Sequence, residues 1–101
     1  MDITFDNNKI RKKCNKATDK FGKRLDDMRA AENLEVMETL PGNCHALKAD
    51  KKGLWAIHID EPYRLIFRPA NDPLPVSKDS WLDTSKITIV DIITVENYHD
   101  K

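Results

Sequence analysis

The sequence predicts an α+β domain: a small twisted antiparallel β-sheet with N-terminal helices packed on one of its faces. Three observations predict it. Apolar residues recur three or four apart from Ile10 to Met28, which is the stripe of an amphipathic helix. Trp55, Ile57 and Ile59, and after a turn Tyr63, Leu65 and Phe67, recur at every second position, which is the period of a strand. The late run ITIVDIITV is apolar at consecutive positions, as expected of a central strand. Helices precede strands, so the two kinds of element segregate into layers. A chain of 101 residues supplies one core and not two, so residues 1–101 form a single domain.

The elements follow in order. Ile3 and Phe5 alternate in a short edge strand. Asp6, Asn7 and Asn8 offer side-chain acceptors to a helix start. The stripe Ile10, Cys14, Ala17, Phe21, Leu25 and Met28 is interrupted around Thr18, Asp19 and Gly22, predicting two helices or one kinked helix. Leu34, Met37 and Leu40 continue in a short helix or turn, which Pro41-Gly42-Asn43 ends. Cys44 to Ala49 reads as a strand leading to the polar turn Asp50-Lys51-Lys52-Gly53. Trp55, Ile57 and Ile59 share one face of the next strand, with Leu54, Ala56 and His58 on the other. Asp60-Glu61-Pro62 turns the chain into Tyr63-Leu65-Phe67, completing a hairpin. Residues 69–85 are rich in Pro, Asp and Ser and predict a long loop or protruding β-arm. The last strand runs from Lys86 to about Glu96.

Formal net charge is zero, but its distribution is uneven. Residues 9–29 carry nine cationic and three acidic residues, whereas residues 69–101 carry three and six. The basic block reads as a solvated helix face, although a neutral protein with basic segments still presents a basic face to phosphates. No apolar run reaches the roughly 18–20 residues of a membrane span. The first residues are acidic and lack an apolar core of a secretory signal. The expected location is the cytoplasm, with Cys14 and Cys44 as free thiols. His45, His58 and His99 are spaced too irregularly for a zinc site, so neither a metal nor a cofactor is implied.

Two histidine contexts carry chemistry: His45, just after the Pro-Gly turn, and Tyr98-His99, at the end of the last strand. Histidine takes and gives a proton near neutral pH. Lys48, Lys51, Lys52, Arg64 and Arg68 can offset phosphate charge, and a tyrosine can hold a phosphate oxygen or stack on a base. These are the groups that metal-free RNA cleavage needs. A base takes the 2′-hydroxyl proton, cations stabilise the charged phosphorane, and an acid protonates the leaving 5′-oxygen.

The stretch from Pro41 to Trp55, PGNCHALKADKKGLW, resembles the hallmark segment P-G-x-x-H-x-L-K-G-D-x-x-G-x-W of HigB-type plasmid-maintenance toxins. Pro62-Tyr63-Arg64-Leu65-Ile66-Phe67 resembles the family's W/Y-R-[IL]-x-F strand, and Asn97-Tyr98-His99 its closing D-Y-H. The resemblance implies a RelE/ParE-superfamily fold and an endoribonuclease that cleaves mRNA on the translating ribosome. It implies a HigA-like helix-turn-helix antitoxin as partner, with operator DNA bound only through the toxin–antitoxin complex. It assigns His45, Tyr98 and His99 as catalytic and matches Lys48 and Arg64 to basic positions of the family; with Lys51, Lys52 and Asn97 these are the expected contacts to RNA. Which histidine is base and which is acid stays open. Two departures stand out: Asn97 replaces an aspartate, and an amide accepts no proton, while Ala49 replaces a glycine. Two other readings follow from the same fold: a ParE-like gyrase inhibitor without catalysis, and a weakened toxin that mainly binds its antitoxin.

Overall fold

Asparagine side chains start two of the three described α-helices. Strand β1 (Asp2–Phe5) leads to Asn7, whose Oδ1 accepts the Ile10 N–H at 3.0 Å and opens α1 (Asn8–Asn15). Asn33 does the same for the single turn α3 (Leu34–Met37), accepting from the Val36 N–H at 2.9 Å. Each carboxamide satisfies an amide that the helix itself leaves unpaired. Between them lies α2 (Asp19–Ala30). The predicted interruption is therefore a true break between α1 and α2. Its reason is steric: a Cβ at Gly22 would meet the Ala17 carbonyl oxygen at 3.1 Å, so the residue without a side chain lets the connection fold back on the helix. The α-amino group of Met1 donates to the carbonyls of Met28, Arg29 and Ala31 at the end of α2, where helix carbonyls lack partners and favour a cation.

The strands that follow are β2 (His45–Ala46), β3 (Trp55–Asp60), β4 (Tyr63–Pro69) and β5 (Ile89–Asn97). This computed structural model describes residues 1–48, 53–79 and 81–97. The sheet order is β1-β5-β4-β3-β2, so the expected α+β layering holds and β5 is interior as predicted. One edge differs from an all-antiparallel sheet. β1 pairs parallel with β5, placing Asp2 opposite Ile89 and Phe5 opposite Ile92. The chain passes through all three helices and the β2–β4 meander before returning as β5, and such a long crossover allows parallel pairing. The alternation of Ile3 and Phe5 carries no information about direction.

Two strand boundaries also differ. The strand expected from Cys44 to Ala49 is paired only at His45 and Ala46, and Ala49 lies outside the described residues. The last strand begins at Ile89 rather than Lys86, because Thr84–Lys86 form a turn of 3-10 helix whose start is capped by Asp83, accepting from the Ser85 N–H at 3.2 Å. Within the Pro-rich segment Val76 pairs with Leu82, so it folds as a short arm, with Trp81 75% exposed. Asn71 ties its base to β5 by accepting from the Thr88 and Ile89 amides.

The helices share one face of the sheet. Leu25, Met28, Leu34 and Met37 pack with Ile57, Leu65, Phe67, Val90 and Ile92 in the core. Arg24 is the exception to a solvated basic block. Its side chain is only 14% exposed. It donates to the His58 carbonyl at 2.9 Å, to Pro41 O at 2.7 Å and to Asp27 Oδ2 at 3.1 Å. One guanidinium thus joins α2, β3 and the Pro41-Gly42 turn, with each bond strengthened by charge. Replacing it by methionine keeps most of the stem but leaves two carbonyls and a carboxylate without their donor. Arg24→Met is expected to lower unfolding free energy by about 2–4 kcal/mol, measured by urea denaturation.

Both thiols are buried. Burial, helped by the Glu38 charge, pushes the Cys44 thiol up to about 12. The unfolded chain therefore loses this proton first as pH rises, and the native state binds more protons in between. Stability from this group is full below the ordinary thiol value of about 8.5 and declines as pH climbs from there towards 12. Urea midpoints are expected to fall between pH 8 and pH 10, and less so in Cys44→Ala. Native Cys44 is expected to resist an aromatic disulfide reagent at pH 8 and to react on unfolding.

Candidate nucleic-acid interface

The face of the sheet opposite the helices carries rows of polar side chains set by strand register. His45 lies opposite Ala56, which lies opposite Ile66 and then Thr94. The next row holds His58, Arg64 and Glu96. Further along, Arg68 lies opposite Asp91, and Asp91 opposite Thr4. Alternation assigns these rows to the face away from the core, because their neighbours Trp55, Ile57, Leu65 and Phe67 pack into it. A shallow trough of about 500 Å³ runs here, lined by Leu54, Ile66 and residues 93–97.

His45 is positioned by the turn before it. Gly42 and Asn43 adopt positive φ of 119° and 51°, conformations that glycine and asparagine tolerate best. They bring the Asn43 carbonyl to 2.7 Å from His45 Nδ1. A carbonyl only accepts, so Nδ1 carries the proton. In the neutral ring Nε2 then holds the lone pair, as a proton acceptor requires. The same turn pins β3, since the Gly42 carbonyl accepts the His58 amide at 2.8 Å.

Arg64 is 15% exposed, and its Nε and NH2 both reach Glu96 Oε2 at 2.9 Å. Much of its charge is therefore met inside the protein. Arg68 is held differently. Its 55% exposed side chain contacts Asp91 Oδ2 at 3.2 Å, while the other Asp91 oxygen accepts the Thr4 hydroxyl at 2.6 Å. The buried carboxylate is saturated and the guanidinium is left facing outward.

Asn97 sits apart from His45. It pairs with Tyr63, on the parity of the core face, and borders a groove of about 490 Å³ with Phe21, Ile59, Val95 and the turn between α1 and α2. From strand spacing and rise, its Cα is about 17 Å from that of His45. Lys48 is exposed two residues beyond β2. Lys51, Lys52, Tyr98 and His99 lie outside the described residues. The structure thus brings His45 and Arg64 to one face, while Asn97 borders the trough beside Glu96, at the Arg64 end and far from His45.

Sequence reasoning passed over His58. It is a diagonal neighbour of His45 across β2 and β3, a relationship that places Cα atoms about 7–8 Å apart, and it lies opposite Arg64. The strand alternation assigned it to the outward face. Only the register of β2 on β3 makes it a neighbour of His45. Among the described residues no cluster of histidine, cysteine and carboxylate side chains could hold a metal ion. No described helix is long and apolar enough to cross a membrane.

No protein-family model matches the chain, and no curated protein matches it. Among solved structures, a YoeB/ParE toxin from Agrobacterium tumefaciens resembles it with a TM-score of 0.59, over 96% of this chain and 98% of that one. The two share 15% sequence identity, so the likeness establishes the fold and leaves the side-chain chemistry to be argued from this chain.

Gly42 is the most tightly surrounded of the three glycines. A Cβ there would sit 2.8 Å from Ile57 Cγ1 and 3.1 Å from Arg24 Nε, at a φ that alanine resists. Gly42→Ala is expected to cost about 1–3 kcal/mol, read as a lower urea midpoint.

Proposed function

We propose that this chain is the toxin of a type II toxin–antitoxin pair, an endoribonuclease that cleaves mRNA on the ribosome. The observation that carries the reading is His45, held by Asn43 with Nε2 as its acceptor nitrogen, on the face of the sheet away from the helices, in a fold like that of a YoeB/ParE toxin. In this reading RNA lies across the face of the sheet away from the helices. His45 Nε2 takes the 2′-hydroxyl proton, the 2′-oxygen attacks phosphorus, and the bond to the 5′-oxygen breaks, leaving a cyclic phosphate. Arg64 and Arg68 lie on this face, and Lys48, Lys51 and Lys52 are the further cations that the reading assigns to phosphate. Tyr98 and His99 are the catalytic residues that the resemblance adds to His45, with Tyr98 orienting a phosphate or stacking on a base, and Asn97 contacts the RNA. The reaction requires no metal.

A toxin of this kind is silenced by a HigA-like helix-turn-helix antitoxin, and the complex binds operator DNA through the antitoxin. The basic outer face of α1, with Lys9, Arg11, Lys12, Lys13 and Lys16 exposed, suits an acidic partner or ribosomal RNA.

The test is a coupled translation reaction with a reporter mRNA, read by primer extension, beside a gyrase supercoiling assay. Wild type is expected to cut the mRNA and leave supercoiling intact. His45→Ala is expected to slow cutting by about 100-fold or more. Intact mRNA with inhibited supercoiling would overturn the ribonuclease reading in favour of a ParE-like inhibitor.

A further inference from the structure

We infer that His58 is the second acid–base group of this site, the proton donor to the leaving 5′-oxygen. The inference rests on the ribonuclease reading above and extends it to a residue outside the motifs that suggested it.

Three features of the fold support the assignment. First, His58 and His45 are diagonal neighbours on the face of the sheet away from the helices. Their Cα separation of about 7–8 Å lets two imidazoles flank a single phosphate, each within hydrogen-bonding reach of about 2.6–3.2 Å. Second, the His58 backbone is fixed on both sides. Its amide donates to Gly42 O at 2.8 Å, and its carbonyl accepts from Arg24 Nε at 2.9 Å. The turn that makes the first contact also orients His45. One clamp therefore sets both histidines relative to each other, as preorganised proton transfer requires. Third, the side chain is 33% exposed. Among the described residues, charged and titratable groups face it from the neighbouring elements. Glu61 Oε1 lies 4.0 Å from Nδ1, Arg64 and Glu96 lie across the sheet in the same row, and His45 lies beside it on β2.

The roles then separate. His45 Nε2 is the acceptor because its Nδ1 proton is committed to Asn43. His45 removes the 2′-hydroxyl proton, the P–O2′ bond forms and the P–O5′ bond breaks. His58 gives a proton to O5′. The products are a 2′,3′-cyclic phosphate and a 5′-hydroxyl, with one proton taken up and one released.

The experiment compares wild type, His45→Gln, His58→Gln and His99→Ala on two RNAs, free and on translating ribosomes. One is ordinary RNA. The other carries sulfur in place of the bridging 5′-oxygen at the mapped cleavage position, so the leaving thiolate departs without a proton donor. Thermal melts accompany each variant. On ordinary RNA, His58→Gln is expected to lose about 100-fold or more. On the sulfur substrate it is expected to recover to within about tenfold of wild type, a rescue that structural damage does not produce. His45→Gln is expected to stay slow on both. Wild-type rates for His58→Gln on ordinary RNA would overturn this inference and leave the ribonuclease reading standing. So would equal slowing of His58→Gln on both substrates, or thiolate rescue of His99→Ala in its place. Wild type that cuts neither RNA would overturn both.

Discussion

Arg24 is where helix layer, sheet and site meet. Its guanidinium reaches the carbonyl of His58 on β3, the carbonyl of Pro41 in the turn, and the carboxylate of Asp27 one helical turn along α2. Charge makes each of these bonds stronger than a neutral one, and limited exposure keeps water from competing. Without this contact α2 would still bury Leu25 and Met28, because hydrophobic burial is non-directional. It would not fix the turn against β3. The positive-φ pair Gly42-Asn43, the Gly42 carbonyl on the His58 amide and the Asn43 carbonyl on His45 all follow from that placement.

The sheet converts this local order into a surface. β5 is interior and pairs on both sides, parallel to β1 and antiparallel to β4. Its register aligns Asp91 with Thr4 and Arg68, and Glu96 with Arg64. Ion pairs on an exposed face contribute little to stability. Here the pairs are partly shielded, and their main consequence is geometric, because they hold guanidinium groups in defined positions. Arg64 is largely consumed by Glu96, whereas Arg68 is oriented but open. The two arginines of β4 therefore have different capacities for an external phosphate despite lying on one face.

The likeness to a YoeB/ParE toxin covers nearly all of both chains at 15% identity. A scaffold can persist at that distance because a core asks for apolar volume at the right period, and many residues supply it. Chemistry asks for particular side chains at particular points. The motif residues of the proposed RNA site divide accordingly. His45 and Arg64 share the face away from the helices, Asn97 pairs on the other parity, and among the described residues His58, which belongs to none of the motifs, lies beside His45.

Composition and periodicity alone determined the elements and their layering. The three-and-four spacing from Ile10 to Met28, the alternation around Trp55 and Tyr63, and the apolar run before Glu96 specify helices, a hairpin and an interior strand. Each is a local pattern that the backbone repeats. The turn residues Gly42 and Asn43 were likewise visible as a stop. What only the tertiary structure decided are relations between distant segments. These include the parallel pairing of β1 with β5, the shortness of β2, the withdrawal of Arg24 from a block that reads as solvated, and the adjacency of His45 and His58. The physical reason is that strand direction and register are set by which partner an edge finds and by the turns between strands. A one-dimensional pattern records that a side chain faces outward, and only the folded sheet determines which neighbour it meets there.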